Sequence, residues 1–189
     1  MTTMQGAGAA RPPLAWLALL SREPRLIQRG ATPRSLELTP EVSERLRFVQ
    51  DDVNASIRYA PDAPGRDRWG VLAWRRVWGL DGRRWLRVGD CDDYAVEKLR
   101  RLIGLDFGGC ARLVACRAGG RGHLVLAVDG ETDTLILDNR VAGIWSWRDG
   151  PMARVRWLTR SVPGRLAWER VGNPVTLPVT LEDLARRVT

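Results

Sequence analysis

The sequence has no apolar run long enough to cross a membrane as a helix. Its longest uncharged stretch of that kind, Leu14–Leu20, falls far short of the roughly 20 residues such a span needs. Cysteine is scarce as well. Cys91, Cys110 and Cys116 are an odd number with no paired Cys/His spacing, which argues against a disulfide scaffold and against a structural zinc site. At least one thiol is therefore free. Histidine occurs once, at His123, and lysine once, at Lys98, every other basic side chain being arginine. Any chemistry that needs an imidazole rests on a single residue. No small-x-small cleavage pattern follows the Leu14–Leu20 run before Ser21-Arg22-Glu23-Pro24, so no clear secretory leader is read. The compartment stays open, with the cytoplasm or a virion expected ahead of the periplasm.

What is present suits one domain. The chain has 189 residues, 44% of them apolar, and nine tryptophans, enough for a proper core but short for two domains. Residues 1–40, rich in Pro, Gly and Arg, read as an N-terminal arm packed on a single domain at 41–189, with the motif-bearing core at 85–140. The net charge of +8 would ordinarily suggest nucleic acid. The arginines are scattered, however, and Arg-, Ala- and Gly-rich usage is what a GC-rich coding sequence produces. Only Arg75-Arg76 and Arg83-Arg84, among Trp74, Trp78 and Trp85, gather near aromatics, and no nucleic-acid partner is expected.

Within the arm, "LAWLALL" has helical character. Thr39-Pro40-Glu41 is a helix start, with a capping hydroxyl, a proline where no donor is needed and an acid at the positive end of the helix. Val42, Leu46 and Val49 continue it at helical spacing up to "IRYAPDAPG", a short strand and turn. The clearest helix is "CDDYAVEKLRRLIG", with Ala95, Leu99, Leu102 and Ile103 on one face and Gly104 as its stop. Three β-rich runs follow, "CARLVACRA", "HLVLAVDG" and "TLILDN", the last two joined by a tight turn at Asp129–Asp133. One or two more strands are expected in 145–170, and "TLEDLARRV" reads as a terminal helix. The fold class is α+β, with a helix packed on an antiparallel sheet.

Cys91 is the residue that turns this pattern toward chemistry. At a helix N-terminus the macrodipole favours the thiolate, the nucleophilic form of cysteine. Asp90, Asp92 and Asp93 oppose it, since neighbouring negative charge disfavours ionising a thiol. Either an imidazolium or a cation held by the carboxylates has to offset them. If the last two strands pair as a hairpin, His123 comes opposite Asp138 to within about a residue of register, in reach of a cross-strand hydrogen bond. Helix-start cysteine, strand-start histidine and next-strand aspartate together make a nucleophile, a base and the group that orients the base. Cys110 and Cys116, inside an apolar strand, read as packing residues.

The blocks "GDCDDYAVEKLRRL", "GHLVLAVDG" and "LILDN" resemble the three motif blocks of the bacterial transglutaminase-like cysteine proteinases, the family that includes periplasmic proteases releasing biofilm adhesins. The resemblance spans about residues 41–145. It implies a papain-like α+β fold of the transglutaminase type, with Cys91 as nucleophile, His123 as base and Asp138 as acid. In the adhesin-releasing members the acids flanking the nucleophile bind calcium, which maps onto Asp90 and Asp92; Asp92 stands where the family commonly has glutamate. No organic cofactor is implied. Trp69 occupies the region of a tryptophan that the family carries upstream of the nucleophile, and "GLDGRRW" reads as an insertion between the two.

The resulting expectation is a cysteine peptidase or amidase acting through a thioester on Cys91, with calcium as possible cofactor. Its substrate would be a protein or peptide, either adhesin-like or from the cell wall. Two other readings use the same residues: acyl transfer to an amine, and a non-catalytic component of a phage virion or tail with virion partners.

Overall fold

Where helices begin in this chain is decided by local chemistry. Thr39 Oγ1 accepts the Val42 N–H at 3.3 Å, and with Pro40 in the first position it opens α2, Pro40–Ser56, as read from sequence. The structure, a computed structural model, describes residues 3–28, 31–63, 65–79 and 82–172, the side chains at 75–79 and 82–86 excepted. The helix expected over "TLEDLARRV" lies outside the described residues. So do the side chains of Arg75, Arg76, Trp78, Arg83, Arg84 and Trp85, on which a nucleic-acid groove would depend.

Two further α-helices among the described residues are α1, Leu14–Arg22, and α3, Cys91–Gly104. The strands are β1 Gly6–Ala10, β2 Ile57–Tyr59, β3 Arg75–Gly79, β4 Gly82–Gly89, β5 Ala111–Ala118, β6 Arg121–Asp129, β7 Thr134–Leu137, β8 Trp145–Ser146, β9 Arg156–Ser161 and β10 Trp168–Val171. Seven of them form an antiparallel sheet in the order β1-β10-β9-β5-β6-β7-β8, and the other three form a small sheet ordered β2-β4-β3. The segment read as an arm, residues 1–40, supplies β1 to the sheet edge against β10 and Trp16, Leu19 and Leu20 of α1 to the core.

Alternation along β6 sorts the core into two layers. Leu124, Leu126 and Val128 join the helices in one cluster with Leu46, Val53, Val96 and Leu102, while Val125 and Ala127 join Trp147, Met152 and Trp157 on the opposite face. The helical layer explains α3. Its apolar stripe lies on β6, and its first residue, Cys91, is carried to the end of the sheet where β6 begins. β7 stops at Leu137, opposite Leu126. Residues 121–125 of β6 consequently have no β7 partner, and a cleft opens in that gap.

Candidate active site

The N-terminus of α3 is built as a capping box. Asp90, its cap, accepts the Asp92 N–H at 3.3 Å, and the Asp93 carboxylate accepts the Asp90 N–H at 3.3 Å. The other Asp93 oxygen accepts the Gly70 N–H at 2.9 Å, and Asp90 Oδ2 accepts the Asp62 N–H at 3.3 Å, so the 62–70 loop is tied to the helix start. The Asp93 side chain lies so close to Gly89 that a Cβ there would overlap it. A glycine two residues before Cys91 is a steric requirement of this turn.

Asp92 is placed differently. It is 4% exposed, and its Oδ1 has no hydrogen-bond partner among the described residues. One oxygen from each of Asp90, Asp92 and Asp93 lies within 4.8 Å of the others. Burial, a hydrogen bond with Asp90 and the charges of Asp90 and Asp93 push the Asp92 carboxyl up to about 10. Burial and Asp90 raise Asp93 to about 7, against the pull of the Asp90 and Gly70 amides. Three carboxyls packed this way in a water-poor site cannot all stay ionised unless a cation joins them. The donors are all hard oxygens, one of them buried with no partner among the described residues, and that set fits a calcium-sized dication rather than zinc.

Cys91 is partly buried. Burial raises its thiol to about 11; the Leu124 amide opposes this, while Asp90, Asp92 and Asp138 add to it. Burial thus outweighs the helix-end preference for thiolate. Cys110 and Cys116, 0% and 1% exposed, lie in the core as expected.

His123 is 7% exposed, and its Nε2 lies 2.8 Å from Asp138 Oδ1. The ladder pairs Leu126 with Leu137, so His123 stands two residues from the point that would face Asp138, one more than the hairpin turn suggested. Both side chains are still on one face, and the ring reaches diagonally. Burial raises the Asp138 carboxyl, but the hydrogen bond and charge of His123, the Arg140 N–H and Lys98 outweigh it, so it sits below its ordinary value. An ionised Asp138 is placed to accept from Nε2–H, and in the neutral ring that tautomer has its lone pair on Nδ1. Cys91 and His123 line the same cleft of about 370 Å³, together with Tyr59, Tyr94, Arg121 and Arg140.

Several residues that hold the site were not singled out from sequence. Gln50 Nε2 and Asn54 Nδ2, one turn apart on α2, donate to the Asp138 carbonyl at 2.7 and 3.1 Å. Lys98 Nζ donates to the Leu137 carbonyl at 3.3 Å. Fully buried Glu97 collects Arg87, Arg100 and Arg101 at 2.9, 2.8 and 3.1 Å, fastening α3 to β4. The available signal was a polar residue, Gln50, interrupting the apolar stripe of α2 beside Leu46, Val49 and Val53. Trp69 is in the core between Trp16 and Trp168, with its indole N–H donating to Asp67 at 3.0 Å.

The family described as bacterial transglutaminase-like cysteine proteinase matches residues 6–174. No curated protein matches the chain. Among solved structures the chain is similar to LapG of Legionella pneumophila, at 20% identity and a TM-score of 0.52 over 86% of this chain and 83% of that one. The calcium-bound form of LapG matches at 22% identity, TM-score 0.51, over 87% and 86%. The EGTA-treated form matches at 20% identity, TM-score 0.52, over 86% and 84%. The likeness in fold extends the α+β reading to the transglutaminase type.

Proposed function

We propose a mechanism from the premise that this chain belongs to the bacterial transglutaminase-like cysteine proteinases: amide hydrolysis through Cys91, His123 and Asp138 with a thioester intermediate. The observation that carries it is the contact at 2.8 Å between the chain's single histidine and Asp138, in a cleft that also exposes Cys91. His123 Nδ1 takes the thiol proton as Sγ attacks the substrate carbonyl. The carbonyl oxygen becomes negative, and the Cys91 N–H, at the first helical position where no intrahelical acceptor exists, is the donor available to stabilise it. Collapse of that adduct breaks the C–N bond, and the imidazolium gives its proton to the departing amine. Water, deprotonated by the same nitrogen, then splits the thioester and returns the thiol. Asp138 stays ionised throughout, holding the ring tautomer and offsetting the imidazolium charge.

The residues fit calcium, held by Asp90 and Asp92 with Asp93 beside them. Bound there, the ion would supply positive charge that cancels the carboxylates' opposition to a Cys91 thiolate. That LapG has been described calcium-bound and EGTA-treated supports the same assignment here. The substrate is a protein or peptide, of which an adhesin-like protein and a cell-wall peptide are the two candidates. Acyl transfer to an amine and a structural role in a phage particle gain no support from the comparisons.

Limiting iodoacetamide followed by mass spectrometry tests the assignment. Cys91 should be alkylated ahead of Cys110 and Cys116, and His123→Ala should slow that reaction while the fold persists. On a cleavable protein substrate, Cys91→Ala should remove turnover by several orders of magnitude. Alkylation of Cys110 or Cys116 first, or activity retained by Cys91→Ala, would overturn it.

A further inference from the structure

Lys98 is the only lysine in a chain whose thirty Lys and Arg residues are otherwise all arginine, and it is 0% exposed. It lies seven residues after Cys91 on α3, on the same helical face two turns away. Its Nζ donates to the carbonyl of Leu137, the residue before Asp138. Two carboxylates face it, Asp138 at the end of β7 and Asp51 on α2. Gln50 and Asn54 hold the next carbonyl, that of Asp138 itself. The acid's backbone is therefore held from α2 and from the helix that carries the nucleophile.

We propose that Lys98 is a positioning residue: it ties the acid-bearing end of β7 to the Cys91 helix, and its charge tempers how strongly Asp138 draws a proton onto His123. A cation behind Asp138 neutralises part of the field that stabilises imidazolium on His123. Arginine could not serve in the same way, because a guanidinium stays charged and needs a wider, forked set of acceptors. Burial lowers the Lys98 ammonium to about 7, with Asp138 and Asp51 pulling it back up, so the charge behind the acid is adjustable at neutral pH. The inference rests on the triad reading above.

One lysine and one histidine make the test direct, since selective labelling of each gives a single NMR resonance. In the wild type, Lys98 should titrate more than two units below the ordinary value of about 10.4, and Asp138→Asn should lower it further by removing a facing negative charge. In Lys98→Met, which keeps length and packing, the His123 midpoint should rise by about half a unit or more. A purely structural role for Lys98 would change the melting temperature without moving that midpoint. A His123 midpoint unchanged in folded Lys98→Met, or a Lys98 resonance titrating as free lysine does, would overturn the proposal. Should Lys98→Met fail to fold, the wild-type lysine titration and its response to Asp138→Asn decide it alone. All these titrations are read on the resting protein, whereas failure of the triad shows separately as turnover in Cys91→Ala.

Discussion

Replacing Asp92 by asparagine should act in opposite directions with and without calcium. In the unfolded chain this carboxyl ionises near 3.8, whereas in the fold burial and its acidic neighbours raise it to about 10. A raised folded value stabilises the fold fully only below pH about 4, and that contribution is lost as pH climbs toward the folded value. At pH 7, keeping the group protonated while the unfolded chain would ionise it costs about 4 kcal/mol. Asparagine keeps the shape and never ionises. In a calcium chelator at pH 7, Asp92→Asn should therefore melt higher than the wild type, by on the order of 10 °C for a chain of this size, and its stability should fall less steeply between pH 5 and 8.5. With millimolar calcium the order should reverse, because binding to the folded state alone raises the wild-type melting point and the variant has lost an anionic ligand. Thermal melts at three pH values, each in chelator and in calcium, measure all of this. If Asp92→Asn melts lower than the wild type in chelator at pH 7, the charge-crowding argument fails. If both proteins gain equally from calcium, the metal assignment fails.

Glu97→Ala should destabilise the protein by about 3–5 kcal/mol in urea denaturation, since it strands the 3%-exposed Arg87 without its partner. The Glu97 carboxyl, raised by burial but lowered further by hydrogen bonds from Arg100 and Arg87, sits at about 2. Its stabilisation is complete above the ordinary 4.5 and lost as pH falls from there toward 2, so the acid limb of the stability profile should shrink in the variant. Gly89→Ala should cost about 1–3 kcal/mol and reduce calcium affinity, because the added methyl displaces Asp93 from the capping box; unchanged melting and binding would show that the helix start tolerates the shift.

The elements of the site were readable because their signals are local. Thr39 and Pro40 announce α2, Gly89-Asp90 with Asp93 opens α3, and the alternation of β6 and β7 about the 129–133 turn puts His123 and Asp138 on one face whatever lies elsewhere. An odd cysteine, a lone histidine and an aspartate, each at the end of such an element, then suffice to name candidates. The crowding of Asp90, Asp92 and Asp93 was also visible, since residues in one helical turn are neighbours by geometry.

What the tertiary structure decided depends on contacts between segments far apart in the chain. Pairing of β1 with β10 and of β5 with β9 joins residues whose pattern carries no partner label, so the sheet order was not readable. The exact register left His123 two residues off Asp138, and the early end of β7 opened the gap into which α3 delivers Cys91. Whether the Cys91 thiol ionises was a question of burial, which outweighs the helix end and which no local motif records. For the same reason Gln50, Asn54, Glu97 and Lys98 passed as ordinary helical polar residues. A polar side chain on a helix declares its role only when the facing element is known, because the same atoms are solvated on one face and, on the other, must find the carbonyls and carboxylates that hold the acid in place.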